Sequence, residues 1–454
     1  TLIGAELVMV LSAALRRGPW AGGALSRMGG ALSRAGHLLH QCASRPSSTV
    51  SYPFLENGIL PSEAMGVRVA QLAKPEEINS MDLRMAQELA AKVTQWETNE
   101  AVSTVVFSGV DEAFCGGVDL DFLASQPSAA NELFEALRDL YSRVHAARTV
   151  SVGLALGQVT GGGLSLLSGS TFQMVGVDSC FACQEQRYGL VSDGSTLKVL
   201  VDRVGLPMAR FLALTGHAVR GEDMLRLGLA SHLTMGSSET ERDLLRLLSG
   251  ISAHSSAKDV EALVGELLDT VGTTQPGAPS VLGWADGVDV RGIAGLDMAS
   301  DANPSFLSDP AFHSWVDRCF QSSSLSEIFA QVQADATATA NASASPPSPS
   351  SPTSSLPSPP HPSWPAGALA ALRSTPALSM AATLSLVNSA PNSSMQDFMQ
   401  TAARTNVALA QGDEFQAVIQ SILEDGAEYP ETDLDLISSV LEDGRVQQAT
   451  GLSP

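Results

Sequence analysis

The sequence predicts an α/β protein that ends in a helical region. Three observations predict it. Short β-branched runs such as Ser103–Phe107 (STVVF) alternate with helical segments in the first half of the chain. From Glu239 onward the pattern becomes mostly helical. The 454 residues are 44% hydrophobic and only 16% charged, which supplies a sizeable buried core and excludes a wholly disordered chain.

The elements follow in order. Residues 51–65 read as loop or short strand, and Val67–Gln71 as a strand. From Ser80 to Thr98, Met81, Met85, Leu89, Val93 and Trp96 recur at helical steps, with Ser80 and Asp82 at the helix start. Val118–Leu123 opens a helix capped by Asp119, and Ala129–Ala147 continues helical. Val150–Leu156, Thr171–Val177 and Ser179–Ala182 read as strands. Ser195–Val204, Pro207–Thr215, Arg220–Leu227 and Ser323–Val332 read as helices. Thr149–Val177 carries no charge, but its glycines and hydroxyl side chains argue for a buried core rather than a membrane span.

Composition marks two unusual stretches. Residues 1–50 hold Arg16, Arg17, Arg27, Arg34 and Arg45 against a single acid, Glu6, in a Ser/Ala/Gly background. That is the composition of an organellar transit segment, so a mitochondrial location is expected. Residues 334–366 are Ala/Ser/Thr-rich and then Ser/Pro-rich, with nine prolines between Pro346 and Pro365. They read as an unfolded low-complexity insert. The expected organisation is therefore a segment at 1–50, a core at 51–270, a helical extension at 271–333, the insert at 334–366 and a helical region at 367–454.

Charge narrows the partners. Lys+Arg is 26 against Asp+Glu 48, a net of −22, and the only lysines are Lys74, Lys92, Lys198 and Lys258. Without a basic cluster, direct recognition of nucleic acid is not expected. Five cysteines form no disulfide framework, and Cys180 and Cys183 lack partners for a zinc site, so no metal is expected.

Three segments carry chemistry. Ala113-Phe114-Cys115-Gly116-Gly117-Val118-Asp119 and Gly157-Gln158-Val159-Thr160-Gly161-Gly162-Gly163 each lead from a strand into a helix. Glycine lets backbone N–H groups face a ligand there, and a helix N-terminus adds partial positive charge. Two such turns can aim two N–H groups at one carbonyl oxygen, forming an oxyanion hole. The third segment, Cys183-Gln184-Glu185 through Ser192-Asp193-Gly194, places two carboxylates eight residues apart in a loop. A carboxylate beside an oxyanion hole serves as base or nucleophile.

The order of these segments resembles the crotonase (enoyl-CoA hydratase/isomerase) superfamily, most closely its 3-hydroxyisobutyryl-CoA hydrolase branch. The likeness runs from about Val67 to Leu233 and includes Lys74-Pro75, Asn79-Ser80-Met81, Phe211-Leu212-Ala213-Leu214-Thr215-Gly216 and Ala230-Ser231-His232. His313–Gln333 and Ala368–Leu423 resemble the hydrolases' C-terminal helices. The resemblance implies a ββα spiral core, with Gly116 and Gly162 supplying the oxyanion N–H groups. It implies Glu185 and Asp193 as catalytic residues, and a mitochondrial thioester hydrolase of valine breakdown. CoA would be part of the substrate, and no separate cofactor is implied. Ser165 stands where hydratases place their first catalytic Glu, which disfavours hydration.

The chain also departs from that pattern. A family Glu falls on Leu137, a Lys-Pro on Thr149-Val150, and prolines on Gln184 and Ser192. Gln416-Ala417-Val418-Ile419-Gln420 replaces the hydrolases' Glu-Gly-x-Arg-Ala. These departures motivate a second expectation: a non-catalytic structural subunit of the mitochondrial ribosome's small subunit. The partners expected are thus an acyl-CoA, with further copies of this chain, or that ribosome.

Overall fold

The computed structural model describes residues 59–64, 66–111, 113–235, 238–251, 256–272, 274, 307, 309–344, 363–423 and 431–452. The expected transit segment lies outside these residues, as do the proline-rich stretch 345–362 and much of the 271–333 extension.

The first half builds two sheets. Strands β1 (Ile59–Ala64), β2 (Val67–Leu72), β3 (Thr104–Gly109), β5 (Val150–Ala155), β7 (Phe172–Gly176) and β10 (His232–Thr234) form one sheet in that order. Strands β4 (Ala113–Cys115), β6 (Gln158–Thr160), β8 (Cys180–Ala182) and β9 (Val219–Arg220) form the other. Pairing is parallel from β2 through β10 and from β4 through β8, with antiparallel strands at the β1 and β9 edges. Each repeat places one strand in the large sheet and the next in the small one before a helix follows. This is the ββα spiral that the resemblance implied.

The connecting helices are α1 (Leu83–Glu97), α2 (Leu120–Ser125), α3 (Ala130–Ala146), α4 (Gly162–Gly169), α5 (Thr196–Val204), α6 (Leu206–Thr215) and α7 (Gly221–Arg226). Asp82 caps α1 by accepting from the Met85 N–H at 2.8 Å. Met85, Leu89, Val93 and Trp96 are buried along α1, as their spacing predicts. Strand alternation splits β3: Val105 and Phe107 join the main core, while Val106 joins a second cluster with Val152 and Leu154. Helices α8 (Ser238–Leu248) and α9 (Ala257–Val271) cover that second face with Leu244, Leu248, Val260, Val264 and Leu268. Both faces of the parallel sheet are therefore dry.

The remaining helices are α10 (Pro310–Cys319), α11 (Leu325–Ala344), α12 (Ser363–Arg373), α13 (Ala377–Ser389), α14 (Met395–Ala410), α15 (Asp413–Leu423), α16 (Leu434–Glu442) and α17 (Arg445–Thr450). An aromatic cluster joins them to the core. Phe211 on α6 meets Phe312, Trp315 and Phe320 edge-on, with ring centroids 5.3–6.1 Å apart. Buried Arg210 donates to Phe320 O (3.0 Å), Gln321 O (2.6 Å) and Asn388 Oδ1 (3.0 Å).

Two expectations need correction. The insert predicted over 334–366 begins too early and ends too late, because α11 runs to Ala344 and α12 starts at Ser363. Alanine is the strongest helix former, and the Thr337 and Thr339 hydroxyls donate to carbonyls one turn back (2.8 and 2.7 Å) rather than breaking the helix. Pro365 sits in the first turn of α12, where a missing N–H costs nothing. The segment 157–163 is also more than a turn: Gln158–Thr160 is a strand of the small sheet.

Candidate active site

The small sheet brings the three motifs together. β4 and β6 pair in parallel, with Cys115 opposite Val159, so the glycine turns after them lie side by side. A Cβ on Gly117 would stand 3.2 Å from Thr160 O, and one on Gly163 would stand 2.8 Å from Cys115 O. β8 pairs on the other flank of β6, with Thr160 opposite Ala182. Three residues past Ala182, Glu185 opens a short 3₁₀ turn beside both glycine turns.

Glu185 is 4% exposed. Its Oε2 accepts from Ser192 Oγ at 2.8 Å and from the Gln184 N–H at 3.0 Å. Its Oε1 is buried with no hydrogen-bond partner. That oxygen fills the space a side chain would need at Gly161 (φ +41°): a Cβ there would lie 1.1 Å from it. A Cβ at Gly117 (φ +80°) would lie 3.3 Å from it. Glycine is thus required at both turns, for the backbone conformation and for the carboxylate's close approach. Burial, reinforced by the negative charge of Asp193, pushes the Glu185 carboxyl up to about 7.

Asp193 is 2% exposed. Its Oδ2 accepts from the Tyr141 hydroxyl at 2.9 Å, and its Oδ1 has no hydrogen-bond partner. A Cβ on Gly162 would lie 2.4 Å from Oδ1 and 2.3 Å from the Tyr141 oxygen, so the start of α4 presses directly on this pair. Burial raises Asp193 to about 6, against the opposing pull of the Tyr141 hydroxyl and of backbone N–H groups, Gly162's among them. The N-terminal end of α4 adds its partial positive charge at the same place.

Ser165 fastens the Asp193 turn. Its Oγ lies 3.1 Å from Asp193 O and 2.9 Å from Thr196 Oγ1, and it accepts from the Ser195 N–H at 2.8 Å. Thr196 Oγ1 in turn donates to Gly161 O at 2.6 Å, tying this turn to the second glycine turn.

The structure gathers Gly162, Glu185 and Asp193 in one place. Gly116 sits on the first glycine turn, where a Cβ would lie 2.5 Å from Ile78 Cγ1. The glycines against the Glu185 oxygen are Gly117 and Gly161. Leu137, where the family pattern has Glu, is buried on α3, and Tyr141 reaches Asp193 from one turn further along. Sequence reasoning missed Tyr141 because it continues the apolar stripe Leu133–Leu137 and so reads as core. It also missed Ser192, whose hydroxyl compensates Glu185 where the family has proline. Lys74, in the early family element, is taken up by acids: it pairs with Glu77, Asp82 (3.3 Å) and Asp119 (2.9 Å).

Known proteins resemble this chain in sequence and in fold. Residues 67–286 match the enoyl-CoA hydratase/isomerase family. The chain is 29% identical over 194 residues to a mitochondrial 3-hydroxyisobutyryl-CoA hydrolase of Gallus gallus, covering 40% of this chain and 49% of that one. It is 28% identical over 195 residues to a peroxisomal Delta(3,5)-Delta(2,4)-dienoyl-CoA isomerase of Arabidopsis thaliana, covering 40% of this chain and 70% of that one. The chain thus spans about half the length of the hydrolase it matches. A crystal structure of an enoyl-CoA hydratase from Rhodobacter sphaeroides superposes with a TM-score of 0.62 at 21% identity, covering 87% of this chain and 97% of that one. Residues 67–286 of this chain are therefore similar to the enoyl-CoA hydratase/isomerase (crotonase) family, and the fold is that of the enoyl-CoA hydratase structure.

Proposed function

We propose that this protein hydrolyses a short-chain acyl-CoA thioester, with 3-hydroxyisobutyryl-CoA as the favoured substrate, in mitochondria. One observation carries the reading: two buried carboxylates, each with one unpartnered oxygen, converge on paired glycine turns. The hydrolase and isomerase names among its relatives supply the substrate class, a CoA thioester.

In this reading the turns polarise the thioester carbonyl, with Gly116 and Gly162 donating the N–H groups. Glu185 in its ionised form takes a proton from the water that attacks the carbonyl carbon, or attacks that carbon itself and forms an anhydride that water then cleaves to free Glu185. The tetrahedral intermediate collapses with cleavage of the C–S bond. The sulfur leaves as thiolate and takes up a proton, so water and thioester become acid and free CoA. Asp193 positions the water or the substrate hydroxyl. Ser165, lacking a carboxyl, gives the site no second acid at the hydratase position, which favours hydrolysis over hydration.

The packing also supports a second reading, a non-catalytic structural subunit of the mitochondrial ribosome. Glu185 Oε1 already occupies the space between the turns where a substrate oxygen would approach. Release of free CoA from 3-hydroxyisobutyryl-CoA by the purified chain decides between them. The hydrolase reading expects turnover that Glu185→Gln abolishes. No CoA release from folded protein, with co-sedimentation on mitochondrial ribosomes, establishes the structural role instead.

A further inference from the structure

Residues 190–193, between the two carboxylates, lie in no helix or strand. A buried segment outside helix and sheet still needs partners for its peptide groups. Val191 finds both on one side chain 215 residues away. Its N–H donates to Asn406 Oδ1 at 2.9 Å, and its carbonyl accepts from Asn406 Nδ2 at 2.9 Å. The carboxamide thus does for Val191 what a neighbouring strand would do. Asn406 is fully buried on α14.

Helix α14 also reaches the other support of the site. Gln400 Nε2 donates to Glu135 Oε1 at 3.0 Å, linking α14 to α3, which carries Tyr141. A second C-terminal side chain, Ser379 on α13, donates to Gln186 O at 2.7 Å, and the Phe415 backbone packs on Gly189. The loop bearing Glu185 and Asp193 is therefore gripped from the C-terminal helices, and Asn406 holds both the N–H and the carbonyl of one loop residue.

We propose that Asn406 is a positioning residue: its clasp on Val191 fixes where Ser192 and Asp193 stand relative to Glu185. The inference rests on the hydrolase reading for its kinetic consequence but not for its geometry. Asn406 touches neither carboxylate. It acts through the backbone, so its loss displaces Ser192 Oγ from Glu185 and Asp193 from Tyr141 while the core strands stay put.

The test compares full-length wild type, Asn406→Ala and Asn406→Asp, which keeps an acceptor for the Val191 N–H but loses the donor. Amide exchange across 185–195 is measured alongside strands β3 and β5. CoA release gives kcat and KM. The expected result for Asn406→Ala is exchange at Val191 faster by at least about tenfold with the strands unchanged. kcat should fall about 10- to 100-fold, with KM moving much less. Asn406→Asp should lie between, and it carries the test if the alanine variant does not fold. Unchanged exchange at Val191, or faster exchange with unaltered kcat, overturns the proposal. If the wild-type chain releases no CoA, the hydrolase reading fails separately. The clasp is then judged on the Glu185 titration followed by carboxyl carbon NMR: a displaced titration in Asn406→Ala supports it, and an unmoved one overturns it.

Discussion

The Tyr141 hydroxyl donates to Asp193 Oδ2 at 2.9 Å, with both groups sealed from solvent. A donor aimed at a carboxylate favours its ionised form, and here it opposes the burial that pushes Asp193 up. Tyr141→Phe removes that donor and little volume. A hydrogen bond to a charged group contributes about 1.5–3 kcal/mol, so the Asp193 carboxyl should rise by about one to two pH units. The Asp193 titration followed by carboxyl carbon NMR should move upward with it. A titration that does not move would show that Tyr141 only fills space.

Gly161 leaves room for nothing larger. Alanine there places a methyl group 1.1 Å from the present position of Glu185 Oε1, in a backbone conformation of positive φ. Glu185 must swing away, breaking its bond from Ser192. Gly161→Ala should reduce CoA release by at least about 100-fold, while circular dichroism reports a folded chain. Retained activity would contradict the placement of Glu185 between the turns.

Glu185 and Asp193 also tie stability to pH. Burial holds both above the ordinary carboxylate range in the folded chain, at about 7 and about 6. Between about pH 4 and 7 the folded form keeps protons that the unfolded form has released, so stability falls as pH rises across that window. Glu185→Gln removes the larger contribution. It should stabilise the chain at pH 7.5 by up to the order of 3 kcal/mol and have little effect at pH 4. Thermal melts of wild type and variant at both pH values measure the difference, and equal effects at both would refute the linkage.

Arg210 joins the core to the C-terminal helices through three acceptors, none of them a carboxylate. Arg210→Ala strips Phe320 O, Gln321 O and Asn388 Oδ1 of that donor and opens a hole beside the aromatic cluster. The cost should be about 2–4 kcal/mol by chemical denaturation. Protease cuts should appear first in the C-terminal helices. A loss below about 0.5 kcal/mol would mean water replaces the guanidinium freely.

The sequence made some levels of this architecture readable and hid others. The Met85–Trp96 stripe and the β-branched strands show themselves because periodicity is local. Glu185 and Asp193 stand out through their place after a strand and beside glycine turns. Tyr141 does not, because a tyrosine on an apolar helix face looks like core until its hydroxyl's target is known. Asn406 could not be found locally, since its target lies 215 residues earlier. Gln158–Thr160 was hidden by brevity, a three-residue strand between glycines. The Ala334–Ala344 turns of α11 were hidden by composition, because an alanine-rich run beside a proline tract looks like linker.

The near-complete enclosure of Glu185 and Asp193 bears on timing. On the hydrolase reading an acyl-CoA reaching them must wait for some part of the wall to part, and a step that occurs without ligand runs at a pace indifferent to how much ligand is present. Mixing experiments should then show an observed binding rate that levels off with rising acyl-CoA, its plateau set by the protein's own breathing rather than by diffusion.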